Sequence, residues 1–308
     1  MLNVFMLFLK SSYYSYAGAA EKIPACQKLQ FVSGLNLTLI ENLTLIEGEY
    51  FKVKSVCFIS EDELLLAVLA PVDASLRPLS MRTGRTTALE PPVMQNVAGV
   101  AFDALTDTPL VLTSEGHKWE LVSLRRNGSK WVEAQRIEAC SNYFDLCHLA
   151  QCNSRILLAG KGKTYTMDVF DVDAAHTLRK AGSVPLQSWF SDVACSGRDG
   201  YTLVSISLGR YLTLWRLSGF PLRLEQLATV ELNPPILVQF YGDLLFVAEF
   251  NDETKKHDIW WFRTSGNALN ERKMLLKAQH SLRAMALASK RLVIVNWDSK
   301  DLLVYSIS

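Results

Sequence analysis

The sequence predicts an all-β protein, a β-propeller of four-stranded blades, on three observations: a phrase of apolar runs and polar turns that recurs six times, a period suited to one blade, and a last copy that stops one strand short. Counted from comparable points at Ser55, Val97, Phe144, Ser191, Ile236 and Leu282, the copies are spaced by roughly 40 to 50 residues, the period of four-stranded blades. The clearest copy is SDVACSGRDGYTLVSISLGRYLTLWRL (Ser191–Leu217), where three β-rich segments are divided by GRDG and by LGR. Turns rich in Asp, Ser and Gly between β-branched runs are hairpin punctuation.

In the first unit, Ser55–Ile59 and Glu63–Ala70 are apolar runs parted by the acidic turn Ser60-Glu61-Asp62, and Ser75–Met81 supplies a third strand. The second has Val97–Phe102, the turn Asp103–Thr108, Leu110–Thr113, and then Trp119–Leu124. The third runs Phe144–Leu149, Arg155–Ala159 and Thr164–Phe170, with Gly160 and Gly162 between the last two. The fourth is the copy quoted above. The fifth offers Ile236–Phe240, Leu244–Glu249 and Ile259–Phe262, split by Tyr241-Gly242-Asp243 and by the polar loop Asn251–Asp258. The sixth ends the chain with Leu282–Leu287, Leu292–Asn296 and Leu302–Ile307. Pro91–Pro92 and Pro234–Pro235 fall between units, where a missing N–H does little harm.

A propeller must close its ring, and an N-terminal strand that completes the last blade hides edges that would otherwise pair with other chains. Phe31–Val32, Leu35–Ile40 and Leu43–Ile46 are the candidates for that strand. A degenerate seventh unit can also be drawn from the residues before Phe51, so the expectation is six or seven blades. Residues 1–29 are an N-terminal segment of open order, and 30–308 a single propeller. Met1–Leu9 is apolar and precedes a small-residue stretch at Ala17–Ala20, but it has no basic flank and breaks at Lys10. Signal peptide, strand and missing exon all stay open. The run is far too short to span a bilayer, which takes about 20 apolar residues.

With 49% hydrophobic residues the chain has ample apolar surface to bury, and 32 basic against 31 acidic residues exclude a global attraction to nucleic acid or acidic membranes. Of six cysteines, Cys57, Cys147 and Cys195 take similar places in the first strand of their units, the habit of small core residues. The sequons at Asn36, Asn42 and Asn127 matter only on the secretory route. A reduced, nuclear or cytoplasmic protein is the expectation.

The third strand of the fourth unit, YLTLWRLSG (Tyr211–Gly219), resembles the end of a WD repeat, with Trp215 where that family keeps Trp and Arg216 where it usually keeps Asp. TMDVFDV (Thr166–Val172), HDIWWFRTSG (His257–Gly266) and DLLVYSIS (Asp301–Ser308) fit the same frame. The Gly-His pair and turn Asp of that family are mostly missing, so the chain resembles a diverged WD propeller. The order of units from Phe144 to Trp215, with the short final unit, is also similar to the non-catalytic WD-repeat subunit of the tRNA guanine-N7 methyltransferase. ILLAGKGKTYTMDVFDV (Ile156–Val172) falls near the mixed-charge stretch by which that family docks its catalytic chain, and WFSDV (Trp189–Val193) falls at a GHxxFVS-like phrase. The mixed-charge run itself is missing here. This resemblance implies an auxiliary, non-catalytic subunit that positions a catalytic tRNA methyltransferase partner, meets tRNA only indirectly, and leaves S-adenosylmethionine to that partner.

The residues give no catalytic, metal or cofactor assignment of their own. Five histidines are scattered over different units, and the one Cys/His cluster, Cys140 with Cys147-His148 and Cys152, lacks the paired spacing of zinc knuckles. Gly160-Lys161-Gly162-Lys163-Thr164 lacks the spacing and helix of a phosphate loop. The carboxylates at Glu61-Asp62-Glu63 and Asp252-Glu253 lie in predicted turns. Partner contact is assigned instead to Lys161, Lys163, Trp189, Arg198, Arg210 and Trp260, since aromatic and Arg side chains are enriched among interface hot spots. Arg82, Arg85, Arg125 and Arg126, basic clusters in loops of the first two units, are the candidates for RNA or an acidic partner. The expected function is a scaffold for a protein partner. The alternatives are a WD-type scaffold of a chromatin, trafficking or ubiquitin-ligase assembly, and a secreted propeller hydrolase or lectin.

Overall fold

The computed structural model describes residues 28–29, 35, 37–44, 52–69, 74–86, 94, 96–115, 118–140, 145–161, 164–186, 190–198, 201–265, 268–277, 281–288, 290–296 and 301–308. Two strands, β1 (Lys28–Leu29) and β2 (Leu37–Thr44), precede the blades. Blade 1 is β3 (Lys52–Phe58), β4 (Glu63–Leu69), β5 (Ala74–Ser80) and the short β6 (Arg85–Thr86). Blade 2 is β7 (Val97–Asp103), β8 (Thr108–Glu115), β9 (Lys118–Asn127) and β10 (Lys130–Cys140). Blade 3 is β11 (Asp145–Cys152), β12 (Arg155–Lys161), β13 (Tyr165–Val172) and β14 (Leu178–Pro185). Blade 4 is β15 (Asp192–Arg198), β16 (Tyr201–Leu208), β17 (Tyr211–Ser218) and β18 (Arg223–Glu231). Blade 5 is β19 (Pro235–Tyr241), β20 (Leu244–Asn251), β21 (Lys256–Ser265) and β22 (Ala268–Leu276).

Blade 6 has only three strands of its own, β23 (Leu282–Ala288), β24 (Arg291–Asn296) and β25 (Asp301–Ile307), and β2 pairs antiparallel with β25 as its fourth. The register runs from Leu37 opposite Ile307 to Thr44 opposite Asp301, with one slip between Leu39 and Glu41. Two of the three stretches proposed as closing strand are thus halves of one strand; Phe31–Val32 and Met1–Leu9 lie outside the described residues. The architecture is a six-bladed propeller, which resolves the choice between six and seven. A feature the sequence did not announce is β1, which adds a fifth strand outside β2.

The burial of each strand follows from its place in a blade. The inner strands β3, β7, β11, β15, β19 and β23 touch one another in a closed circle around the axis. Second strands lie between two neighbouring blades and are apolar on both faces, as in β8, whose first six residues are all buried. Outer strands meet solvent, so β18 (RLEQLATVE) is exposed or half-buried throughout.

Apolar side chains gather into six clusters, one in each gap between adjacent blades. Val53, Leu66, Val293 and Val304 fill the gap between blades 6 and 1, and Trp261, Leu292 and Tyr305 that between blades 5 and 6. Leu37, 1% exposed, enters the second of these from β2. Each burial removes about 25 cal/mol per Å² of apolar surface from water, so a blade is stable only with a neighbour on each side.

Polar side chains stitch the same gaps. Val100 N–H donates to Ser55 Oγ at 3.2 Å between blades 1 and 2, and Gln151 Nε2 donates to buried Asp103 at 2.7 Å between blades 2 and 3. His148 Nδ1 lies 3.0 Å from Asp192 Oδ1, and the other oxygen of Asp192 accepts from Val238 N–H at 2.9 Å, so one carboxylate ties blades 3, 4 and 5. His257 Nδ1 accepts from Leu282 N–H at 2.9 Å between blades 5 and 6. At the closing gap, Arg291 donates to Glu61 O at 2.6 Å and to Asp62 Oδ1 at 3.1 Å.

Because Leu37 carries the closing strand into a packed core, Leu37→Ala is expected to cost about 3 kcal/mol, within the usual range for such truncations. Urea unfolding measures this, and a loss under about 1 kcal/mol would separate β2 from the stability of the ring. Hydrogen bonds from Arg82 and then Arg291 hold the Asp62 carboxyl below its ordinary range. A depressed folded-state pKa means that the stabilisation is present above the unfolded carboxylate's pKa and is lost as pH falls through the folded value. The Tm difference between the wild type and Asp62→Asn is therefore expected at neutral pH and should shrink toward zero in acid; a difference independent of pH would refute the linkage.

Candidate functional site

The strand order fixes two faces. Turns between first and second and between third and fourth strands form one, here the upper face; turns between second and third strands and the links from blade to blade form the lower. The predicted contact residues divide between them. Arg82, Arg85, Arg125, Arg126 and Arg198 lie at the upper face, while Lys161 and Arg210 lie at the lower. Lys163 and Trp189 are outside the described residues.

Several of these cations already have partners. Arg82 pairs with Asp62 at 2.6 Å, and Arg126 lies 3.7 Å from Glu63 with its guanidinium 5.0 Å above the Trp131 ring. Arg198 is a blade-to-blade tie: it pairs with Asp243 at 3.0 Å and donates to Gly242 O and Thr264 Oγ1, each at 3.4 Å, linking blades 4 and 5. Arg85, Arg125 and Arg210 are exposed and have no ion pair among the described residues. Trp260 is half-buried beside the core between blades 4 and 5, under the Arg272 guanidinium at 4.1 Å, and Arg272 also bonds the buried carboxylate of Glu249. Its neighbour Trp261 is buried on the opposite side, between blades 5 and 6, as strand alternation demands.

The histidines, too scattered for a sequence-level site, find their roles through folding. His176 in the β13–β14 turn holds φ at 60°, places Nδ1 2.6 Å from Thr108 Oγ1, and accepts at its carbonyl from Ser123 Oγ at 2.7 Å, tying blade 3 to blade 2. Among the described residues, no three His, Cys, Asp or Glu side chains come together as a metal site. An axial cavity of about 280 Å³ draws its lining from all six inner strands, among them Cys57, Phe102, Gln151, Cys195, Gln239 and Phe240. Burial pushes the Cys57 thiol up, and burial followed by a hydrogen bond with Cys152 pushes the Cys195 thiol up. Both stay protonated and poorly nucleophilic at neutral pH.

Among the described residues a concave feature open to a partner lies elsewhere, in the gap between blades 3 and 4. The outer strands of blades 2 and 3 pack together, as do those of blades 4 and 5. Between β14 and β18 lies instead a groove of about 650 Å³, with Val184 and Leu186 on one wall and Ile206, Trp215, Leu222 and Leu224 on the other. Leu222 leans across to Gly182, where a Cβ would meet its Cδ1 at 3.0 Å. Phe220, in the turn that precedes β18, is 92% exposed. Sequence reasoning read Trp215 only as the tryptophan of a WD-like third strand and passed over the groove; the one local signal was GFPLRL (Gly219–Leu224), a turn unusually rich in large apolar residues.

No protein-family model matches the chain, and no curated protein sequence does. Among solved structures it is similar to a chain of the mitotic checkpoint complex, at 10% identity over 99% of each chain with a TM-score of 0.56. It is also similar to the Swd1 (Cps50) propeller domain of Myceliophteria thermophila, at 11% identity over 83% of this chain and 84% of that one, with a TM-score of 0.54. Hydrazine synthase of Kuenenia stuttgartiensis matches at 11% identity over 83% of each chain, with a TM-score of 0.58. At such identities the likeness is one of fold, a propeller shared by proteins of unlike chemistry.

The burial of Cys152 and Cys195, with the Cys195 thiol pushed up, predicts that brief alkylation of the native protein at neutral pH leaves both unmodified. Peptide mapping by mass spectrometry reads this, and rapid labelling of either would contradict their packing.

Proposed function

We propose that this chain is a non-catalytic scaffold, a rigid disc that holds a protein partner. The observation that carries the reading is the groove between blades 3 and 4, where half-buried Leu222 and Leu224 border an opening over the core, in a chain that also exposes Phe220 at its rim. A concave opening lined by aliphatic side chains is a place where a partner's side chain can be buried. Two of the similar structures, the Swd1 propeller and a chain of the mitotic checkpoint complex, favour this reading over an enzymatic one, while hydrazine synthase marks the enzyme as the competing class.

The sharper form of the proposal is the auxiliary subunit of a tRNA guanine-N7 methyltransferase in the nucleus or cytoplasm. Its support is the order of units from Phe144 to Trp215, with the short final unit, which is similar to that family's. Docking of this kind fixes a partner's active geometry without contributing a reactive group. The exposed Arg85 and Arg125 on the upper face are suited to phosphate contact, which gives affinity without sequence readout.

Affinity purification of the tagged chain from its native cells, at moderate salt and with mass spectrometry of what is retained, tests both levels. A retained tRNA methyltransferase, with loss of guanine-N7 methylation on depletion, is the outcome expected of the sharper form. Another stable protein partner would refute that form and keep the scaffold; no retained protein would refute both.

A further inference from the structure

The hairpin of β9 and β10 turns at Asn127-Gly128-Ser129-Lys130, and Asn127-Gly128 is the one Asn-Gly step in the chain. Asn127 pairs with Lys130, so Gly128 and Ser129 make a two-residue turn whose first member, Gly128, holds φ at 60°. Every residue from Arg125 to Lys130 is exposed, and a Cβ built on Gly128 would meet nothing within 4 Å. No hydrogen bond among the described residues engages the Asn127 side chain. Other asparagines are held: Asn251 bonds Asp258 and the amides of Glu253 and Thr254, and the Asn153 carboxamide lies over Gly197, where a Cβ would collide with it.

An asparagine loses its amide when the backbone nitrogen of the next residue reaches the side-chain carbonyl carbon. The step is favoured by a free carboxamide, by a following residue with no side chain to obstruct it, and by a backbone nitrogen outside the strand ladder. All three meet at Asn127, since the first residue of a two-residue hairpin loop keeps its N–H out of the ladder. A hairpin tip is also where local opening costs least, which lets the backbone turn toward the side chain. The tip carries Arg125, Arg126 and Lys130, and the sequence has no acidic residue from Leu121 to Val132. Nearby cations favour the ionised form of an acid, here the deprotonated Gly128 nitrogen that attacks.

We infer that Asn127 is a site of spontaneous deamidation that places a negative charge among the cations of the upper face. The Gly128 nitrogen bonds to Asn127 Cγ, the Cγ–Nδ2 bond breaks, and Nδ2 leaves as ammonia with the proton that Gly128 gave up. Water then opens the cyclic imide at either carbonyl, giving aspartate or isoaspartate; the net change is amide plus water to acid plus ammonia, with no oxidant or reductant. Positions 125 and 127 of β9 share a face by strand alternation. Arg125 is exposed and has no ion pair among the described residues, so the new carboxylate supplies one. The chemistry at Asn127 stands by itself, and its consequence, a weaker hold on phosphate by Arg125, rests on the upper-face reading given above.

The full chain and its Asn127→Gln variant, whose longer side chain would have to close a larger ring, are incubated in mildly alkaline buffer. Peptide mapping by mass spectrometry, with fragmentation that separates aspartate from isoaspartate, follows every asparagine. The expected result is that Asn127 reacts first, faster as pH rises, and yields both acids; isoelectric focusing then shows a more acidic band that Asn127→Gln lacks. Another asparagine reacting first, or Asn127 staying intact in the folded chain while a synthetic peptide of the same sequence reacts, overturns the inference. Retention of Asn127→Asp, Asn127→Gln and Arg125→Ala on a heparin column reads the consequence. Earlier elution of Asn127→Asp and Arg125→Ala, with Asn127→Gln unchanged, is expected. Unchanged elution of Arg125→Ala refutes phosphate contact at that residue and leaves the deamidation site standing; a shift in Arg125→Ala without one in Asn127→Asp refutes the effect of the new charge.

Discussion

Closure of the ring is the constraint on which the rest of the structure depends. A blade has two apolar faces and can bury both only between two neighbours, so an open row of blades would leave a face bare at each end. The pairing of β2 with β25 completes the sixth blade, and Arg291 fastens that blade to Glu61 and Asp62 of the first. Leu37 carries the closing strand into the packing of blade 5 as well, because it meets Trp261 and Leu292 in one cluster. With the circle shut, each of the six apolar gaps has a blade on both sides, and none is an end from which to unzip.

Packing of this sort specifies shape weakly, since aliphatic side chains tolerate sliding. Register is set by the polar ties within the gaps. Asp192 illustrates the device, taking His148 from the blade before and the Val238 amide from the blade after. Arg198 does similar work at the upper face through Gly242 and Thr264. A partly buried carboxylate or guanidinium with one good arrangement penalises alternative seatings of a blade. The outcome is a disc whose outer edge, where β14 and β18 leave a groove, is better placed to engage a partner than its interior.

The blades were legible in the sequence because each is a local object: three apolar runs with period-two patterning and turns marked by Gly, Asp and Ser. Ser191–Leu217 announced β15, β16 and β17 nearly to the residue. The number of blades was less legible, because the closing strand is joined to its partner across the whole chain, and a bulge near Leu39 split its pattern into two apparent pieces. Site residues were the hardest. Arg198 reads as a free turn cation in the sequence and is a blade tie in the fold; Trp215 reads as the tryptophan of a WD-like strand and also lines an opening; and His148, His176 and His257 owe their roles to residues of neighbouring blades, which no local window contains.

The β2–β25 pair also bears on how the protein is made. In vectorial synthesis β2 leaves the ribosome ahead of every blade, while β25 is finished after all five of the others. Between those two events blade 6 has no outer strand, β2 has an unpaired edge, and the first gap has only one wall. Contacts so distant in sequence form slowly, and unpaired edges held open meanwhile are the species most prone to pair with other chains. The same strand that leaves the finished ring without a bare end makes the unfinished chain dependent on being kept apart from its neighbours until β25 arrives.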